Sequence, residues 1–444
     1  ITAATLTPVL TNTDITKTYD GTTAAPDGFA PSYRFDGLVA GDTEAILNKT
    51  GIAYDNAHVA DARQVTVSGL TLSTITGSNG SLADDYTLDA NSASVAAAVT
   101  PLASVAWTGN NGDWSTPSNW FRNILPTTGN VLAATIPAGV TVTYDSSAGD
   151  TKLNSLNSQG SFQITGGNLG VSGDFTTAQY TQSGGQLSAS SVNVSEAFSQ
   201  TGGTLKADYV TINTINSLIQ DTLGSINAIN FTANSGDDVR LAGLNVITGI
   251  LNISAGSEIF SRTQGVSQIS NLNAPNGSID VENIGGFILG SANAAGDIKV
   301  KAKSPLTVNG TVSSTGGNII LASSSNDELD INAPISAPNG NITLTADDGI
   351  LNINADVVAS NGLILTGSTV RGNRQTQYMR YLNNSKPGED ISANPIEEVN
   401  AVVVGTTTQP LQPLADDSDS NNGNTGGSTD STAEKDKKLK QCSK

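Results

Sequence analysis

The chain of 444 residues holds one cysteine, one histidine, one methionine and three tryptophans, and aromatic residues make up only 5% of it. A single cysteine, Cys442, excludes an intrachain disulfide framework and any cysteine-based zinc site. With His58 as the one imidazole, donors for softer metals are nearly absent. Charge is scarce as well: charged residues are 14% of the chain, against about 25% in an ordinary globular protein. What charge there is leans one way, 40 Asp and Glu against 21 Lys and Arg, for a formal net charge of −19. A polyanion is repelled by phosphate backbones and anionic lipid surfaces, so no nucleic-acid partner is expected. No apolar run approaches the roughly 20 residues of a bilayer-crossing helix, so no membrane-spanning segment is expected either. The first residue is Ile1 rather than Met, and the expectation is a piece of a longer polypeptide with its secretion signal upstream.

Ser, Thr, Asn, Asp and 46 glycines fill the space that charged and aromatic residues leave. Ser, Thr and Asn compete with the helix for backbone hydrogen bonds, so helices are disfavoured. Short strands joined by tight turns suit the same mix. Disordered chains share this composition, but regularly spaced Val, Ile and Leu argue for order over most of the length.

Residues 1–103 form a first unit. Val65-Thr66-Val67 and Leu70-Thr71-Leu72 alternate between glycines and read as strands. Pro101, after Ala97-Ala98-Val99-Thr100, marks the exit from the last one. Turn signals stand at Tyr19-Asp20-Gly21, Phe35-Asp36-Gly37 and Ala40-Gly41-Asp42, and Gly21 permits a positive φ after Asp20. Taken alone, the Tyr-Asp-Gly triplet is an ordinary turn. Taken in order, Lys17-Thr18-Tyr19-Asp20-Gly21-Thr22-Thr23, Gly37-Leu38-Val39-Ala40-Gly41-Asp42, the stretch from Asp55 to Ala60, Val67-Ser68-Gly69-Leu70 and Asp85-Tyr86-Thr87-Leu88 resemble the YDG-type repeat domain of filamentous-haemagglutinin-like exoproteins. The resemblance covers nearly the whole unit. It implies a small all-β, β-grasp-like module, usually a spacer in a long adhesin.

Residues 104–150 carry all three tryptophans, in Trp107-Thr108-Gly109, Gly112-Asp113-Trp114-Ser115 and Ser118-Asn119-Trp120, with Leu125-Pro126 following. This order is similar to the junction that precedes β-helical segments in haemagglutinin-like proteins and autotransporters. On a polar loop, Trp107, Trp114 and Trp120 would stack against sugar rings. As a cap, they would cover the open end of a β-helix with large apolar rings. The cap is favoured, because a repeat array begins at once and terminal repeats need covering.

The array occupies residues 151–370. Gly166-Gly167-Asn168-Leu169, Gly184-Gly185-Gln186-Leu187 and Gly202-Gly203-Thr204-Leu205 recur at an 18-residue spacing. Further on, Ala274-Pro275-Asn276-Gly277-Ser278-Ile279 returns as Ala337-Pro338-Asn339-Gly340-Asn341-Ile342, and Ile279, Ile298, Ile319, Ile342 and Leu363 are spaced by 19, 21, 23 and 21. Self-similarity near this period means a solenoid. The Leu-x-x-Leu-x-Leu frame of leucine-rich repeats and the acidic nonapeptides of calcium-loaded rolls are both missing. Short alternating strands with Gly and Asn corners predict a parallel β-helix, right-handed by the general crossover preference. Ile298, Val300 and Ala302 should face in while Lys299, Lys301 and Lys303 face out, with corner asparagines forming amide ladders. Roughly eleven rungs at about 4.8 Å each predict a rod of about 50 Å.

Residues 371–404, with Arg371, Arg374 and Tyr378-Met379-Arg380-Tyr381-Leu382, read as a C-terminal cap. Residues 405–444 read as a disordered acidic linker and a charged end. In two-partner-secreted adhesins the extreme C-terminus often holds the protein at its outer-membrane pore, in some through a pair of cysteines that closes a hook. Cys442 alone departs from that pattern: the alternatives are an anchor cysteine and an incidental exposed thiol.

Parallel β-helices also carry polysaccharide lyases and glycosidases, which need paired carboxylates or a base with metal-binding acids. Asp237-Asp238, Asp327 with Glu328 and Asp330, and Asp347-Asp348 fall at corners with no His or Arg beside them. No catalytic residues are expected, and hence no enzyme. No cofactor is expected, beyond weak Ca²⁺ binding at the acidic corners, where no loop matches a defined calcium motif. The sequons at Asn48, Asn193, Asn309 and Asn341 are numerous enough to arise by chance, and glycosylation is a secondary expectation. The family resemblance implies the stalk and anchor-proximal segment of a secreted adhesin for attachment or biofilm cohesion, outside a Gram-negative cell. Its partners would be an outer-membrane two-partner transporter and an extracellular polysaccharide or host-cell receptor. The competing readings are a polysaccharide-binding β-helix and, more distantly, a lyase or hydrolase.

Overall fold

A computed structural model describes residues 2–324, 326–372 and 402–404. Among them every regular element is a β-strand or a short 3-10 turn. The expected cap at 371–404 and tail at 405–444, Cys442 included, lie outside the described residues apart from Arg371, Gly372 and the strand Val402–Val404.

The N-terminal unit is made of three small sheets. Ala4–Leu10 runs between Tyr33–Asp36, antiparallel to it, and Tyr86–Leu88, parallel to it. Ile15–Thr18, Ser92–Thr100, Gln64–Ser68 and Gly51–Tyr54 form the second sheet, and Asp42–Asn48 pairs with Thr71–Gly77 in the third. The alternation read from the sequence is an inside–outside pattern: Val65 and Val67 are fully buried, and the last strand stops at Thr100, just before Pro101.

From Val105 onward the chain is one continuous sheet wound on itself. Pairing is parallel from Val105–Ala106 through Gly362–Gly372, and Val402–Val404 adds an antiparallel strand against residues 363–365. Each coil presents three strand segments, which stack on their counterparts in the next coil as three columns. In the first column Leu169 sits on Leu187 and Leu187 on Leu205. The second stacks Leu156, Phe175, Val192 and Val210. In the third, Ile279, Ile298, Ile319, Ile342 and Leu363 are successive rungs, so the uneven spacing read from the sequence is the register itself. Ile298, Val300 and Ala302 are buried, as a period-two strand requires. The loops between segments absorb the differences in coil length, which keeps the apolar columns aligned.

The Gly-Gly corners have a steric cause. Gly167, Gly185 and Gly203 take φ of +73°, +63° and +78°. A Cβ on Gly185 would also meet the backbone of Gly166 and Gly167 at 2.6 Å. Only glycine tolerates both conditions. Asparagine ladders form at other corners: Asn332 donates to Asn309 at 3.0 Å and Asn354 to Asn332 at 2.8 Å.

The solenoid reaches further toward the N-terminus than the sequence periodicity indicates. Val105–Ala106 pairs with Ala133–Ile136, Gly112–Asp113 pairs with Thr141–Tyr144, and both partners then pair with Ser155–Ile164. The Trp-rich segment is therefore the first coil, and pairing continues without a break across residue 150. Two-residue strands interrupted by 3-10 turns at Pro117–Asn119 and Phe121–Asn123 carry no readable alternation.

The N-terminal unit is docked on that first coil. Ile15, Tyr19, Tyr54 and Val99 belong to the same buried cluster as Val105, Trp107 and Trp120. Asn130 stitches the junction: its Oδ1 accepts from Val59 N at 2.9 Å, which orients its amide nitrogen toward Thr127 Oγ1 at 3.0 Å and His58 Nδ1 at 2.9 Å. Because the amide nitrogen is a donor, His58 Nδ1 accepts here. The imidazole in turn stacks on Tyr19, with ring centroids 6.1 Å apart.

Candidate functional site

The three tryptophans are brought together, but inward. Trp107, Trp114 and Trp120 are 2%, 2% and 1% exposed. Trp120 packs edge-on against Trp107 and Trp114, with centroids at 5.0 and 4.7 Å. Its Nε1 donates to the Trp114 carbonyl at 2.8 Å, and Trp107 Nε1 donates to Asn110 O at 3.0 Å, so both indole donors are satisfied. Trp114 continues onto Tyr144 and Phe162, and Phe162 leads on to Phe175, Tyr180 and Phe198. An aromatic spine thus fills the first coils of the rod. Edge-to-face pairing of this kind adds about 0.5–1.5 kcal/mol per pair beyond burial. The sugar-stacking alternative to the favoured cap is corrected for these residues: the rings have almost no solvent-facing surface, because burying three indoles outweighs displaying them.

In the N-terminal unit, the residues that carry the family resemblance fold into two polar knots. Lys17, whose side chain is 6% exposed, donates from Nζ to Asp20 Oδ1 at 2.8 Å, Thr22 O at 2.6 Å and Ala24 O at 2.9 Å. The Tyr19-Asp20-Gly21 turn is therefore a loop wrapped around a buried ammonium, with Gly21 at φ +78° as the reversal point. Burial alone would raise the Asp20 pKa, but the hydrogen bonds from Lys17 and Thr22 outweigh it and hold the carboxyl below its usual value. In the second knot Tyr86 Oη donates to Asp42 Oδ2 at 2.6 Å and accepts from Val39 N at 2.9 Å. Burial, with the Asp42 carboxylate beside it, pushes the Tyr86 hydroxyl pKa up. Tyr19-Asp20-Gly21 was legible as a turn; Lys17 as its hub was not.

The acidic corners are used structurally. Asp237 Oδ2 accepts from Ser217 Oγ at 3.0 Å, Asp238 Oδ1 from Glu258 N at 2.9 Å, and Asp330 Oδ1 from Asn352 Nδ2 at 2.6 Å. Each carboxylate ties one coil to the next. Among the described residues no three His, Cys, Asp or Glu side chains converge on a point that could hold a metal ion. Outside the third column, Asp280 receives Arg262 and Lys299, each at 3.0 Å, while Arg262 lies over Phe260 at 4.0 Å. These are half-exposed pairs, worth about 0–1 kcal/mol each.

The rod surface carries open depressions, one of them across several coils. A groove of about 560 Å³ crosses the outer side of the first column between the loop at 129–132 and Asp208, over Lys152, Gly170 and Ser188. Its floor comes from four separate coils, and no sequence motif marks it.

The YDG domain family matches residues 2–94. No curated protein and no solved structure matches the chain.

Proposed function

We propose that this chain is the stalk and anchor-proximal segment of a secreted bacterial surface adhesin, acting in attachment or in cohesion of a biofilm matrix. The carrying observation is mechanical: continuous parallel strand pairing from the first coil to Gly372, with a YDG domain packed on its N-terminal end. Neighbour-only contacts let such a rod gain length without enlarging its core, which is the property a spacer needs. The surface fits this reading, with an excess of negative charge that discourages collapse onto anionic cell surfaces. In this proposal the segment performs no catalysis, is exported through an outer-membrane two-partner transporter and stays outside the cell, where a polysaccharide or a host-cell receptor is bound at or beyond it.

Deleting whole coils within the intact surface protein tests the stalk role. Removing residues 298–341, which joins Asp297 to Ile342 in register, should shorten the rod by two rungs, or about 10 Å. Cell attachment should fall while secretion and the soluble protein's receptor affinity stay unchanged. Attachment indifferent to rod length would defeat the stalk reading.

A further inference from the structure

We propose that the groove over the first column is a binding site for a neutral linear oligosaccharide, so that the rod holds a glycan as well as spanning distance. Two rows of outward side chains make the site. Lys152, Gly170, Ser188 and Lys206 are successive outward positions in the first column, by direct register, and the first three line the groove, with Lys206 one rung beyond. Two residues on, and therefore on the same face, stand Asn154, Ser172, Ser190 and Asp208. The two lysines bracket three rung spacings, about 14 Å, with hydroxyls and a glycine between them. The Gly170 position keeps the floor low: a Cβ there would lie 3.5 Å from Lys152 Cγ and 3.6 Å from Ser188 Oγ. One end is walled by the loop at 129–132, which Thr128 fixes by donating to Asp150 O at 3.0 Å and accepting from Lys152 N at 2.9 Å. The other end opens at Asp208 beside Tyr209, which is 57% exposed. Only Tyr209 and Phe121 among the described aromatic residues are exposed in this way.

The chemistry selects the ligand class. An extended peptide needs a free strand edge to pair with. Here the floor strands at 168–182, 186–200 and 203–214 are paired on both sides, and the outer edge of Asp150–Leu153 is occupied by Thr128 Oγ1, which accepts from Lys152 N and donates to Asp150 O. A polyanion needs net positive charge. Lys152 and Lys206 enter no ion pair among the described residues, but Asp208 on the wall and Asp150 and Asp174 on the flanking positions leave the neighbourhood without a positive excess. The Lys152 ammonium donor, the Asp208 carboxylate acceptor and a grid of hydroxyls match a ligand rich in uncharged hydroxyls, and the exposed ring of Tyr209, next in the chain to Asp208, is the surface on which its sugar face would stack. The volume falls within the range of about 300–1,000 Å³ usual for small-ligand sites.

The test is calorimetric titration of the full chain with cellohexaose, mannohexaose, maltohexaose and chitohexaose, and with hexagalacturonate as the charged comparison. The expected result is saturable binding of at least one neutral hexasaccharide. Asp208→Asn and Tyr209→Ala should each weaken it about tenfold, the loss of roughly one charged hydrogen bond or stacking contact. Ser188→Arg should abolish it by filling the floor, and Thr343→Ala on the far column should leave it unchanged. Both Asp208→Asn and Tyr209→Ala are surface changes that leave the core intact, so a folding failure in the filled variant does not remove the test. No binding by any neutral hexasaccharide, tighter binding of hexagalacturonate, or binding indifferent to Asp208→Asn and Tyr209→Ala would each overturn the proposal.

Discussion

Gln200 Nε2 donates to Gln182 Oε1 at 2.9 Å, one coil apart and fully buried inside the rod. The same contact repeats from Gln220 to Gln200 at 2.8 Å, and Gln220 and Asn245 close the series with paired bonds at 2.7 Å. Tyr180 Oη also donates to Gln182 Oε1, at 3.0 Å, and remaining amide hydrogens reach the carbonyls of Thr204 and Ser225. A polar ladder of this kind is tolerable in an apolar core because each member is satisfied.

That arrangement makes the ladder asymmetric to mutation. Gln200→Leu should destabilise by about 2–4 kcal/mol, since it strands Gln182 and Gln220 groups that no water can reach. Replacing Gln182, Gln200, Gln220 and Asn245 together by Leu should cost less than four times the single change, because the amide-to-amide bonds then lose both partners at once, while Tyr180 Oη and the backbone groups the amides served are left unpaired. Urea unfolding followed by circular dichroism would read both costs, and a quadruple variant destabilised by more than four times the loss in Gln200→Leu would refute the coupling.

The Lys17 knot predicts an acid-sensitive N-terminal unit. The Asp20 carboxyl is held below its unfolded value, so its contribution is present above the ordinary carboxylate range and is lost as pH falls through the lowered folded pKa. Lys17→Met should destabilise the unit at neutral pH and remove this component of the acid dependence. Thermal unfolding of both chains from pH 6 to pH 2 should show two curves that converge at the acid end. Parallel curves would mean that Asp20 owes its stabilisation to something other than Lys17.

Asn130 joins residues 72 apart in sequence through His58, and it binds Val59 and Thr127 as well. Asn130→Ala should leave both units folded yet loosen their docking, by about 1–3 kcal/mol for the groups left unpaired. Limited proteolysis between Thr100 and Val105 should speed up, while scattering curves broaden toward a range of unit orientations. Unchanged cleavage would place the rigidity of the junction in the apolar cluster alone.

Much of this architecture was written in the periodicity. The inward positions Ile279, Ile298, Ile319, Ile342 and Leu363 give the register because a one-residue slip would turn every one of them to solvent. The glycine pairs at 166, 184 and 202 give the corners, since no other residue fits them. The glutamine ladder left a trace that composition hid: Gln182 and Gln200 each precede a Gly-Gly pair by two residues, at the same 18-residue spacing. The groove left none. Its rows are drawn from four coils and an overhanging loop, and they become neighbours only once the register is known. The tryptophans were ambiguous for another reason, as two-residue strands cannot tell an inward ring from an outward one.

Trp120 separates those two readings. It is 1% exposed, wedged between Trp107 and Trp114, and its indole nitrogen satisfies the Trp114 carbonyl. Trp120→Ala should therefore remove about 3–5 kcal/mol from the first coil through lost burial and a residual cavity. Because each coil contacts only its neighbours, the damage should stay local. Hydrogen exchange should accelerate over residues 105–164 and remain slow over residues 298–353. Binding of any oligosaccharide to the groove should persist wherever the first coil is still folded, since no indole lines it. A stacking platform would give the reverse pattern, with stability intact and sugar affinity gone, and that outcome would return Trp120 to the sugar-stacking role that the sequence offered as the alternative to a cap.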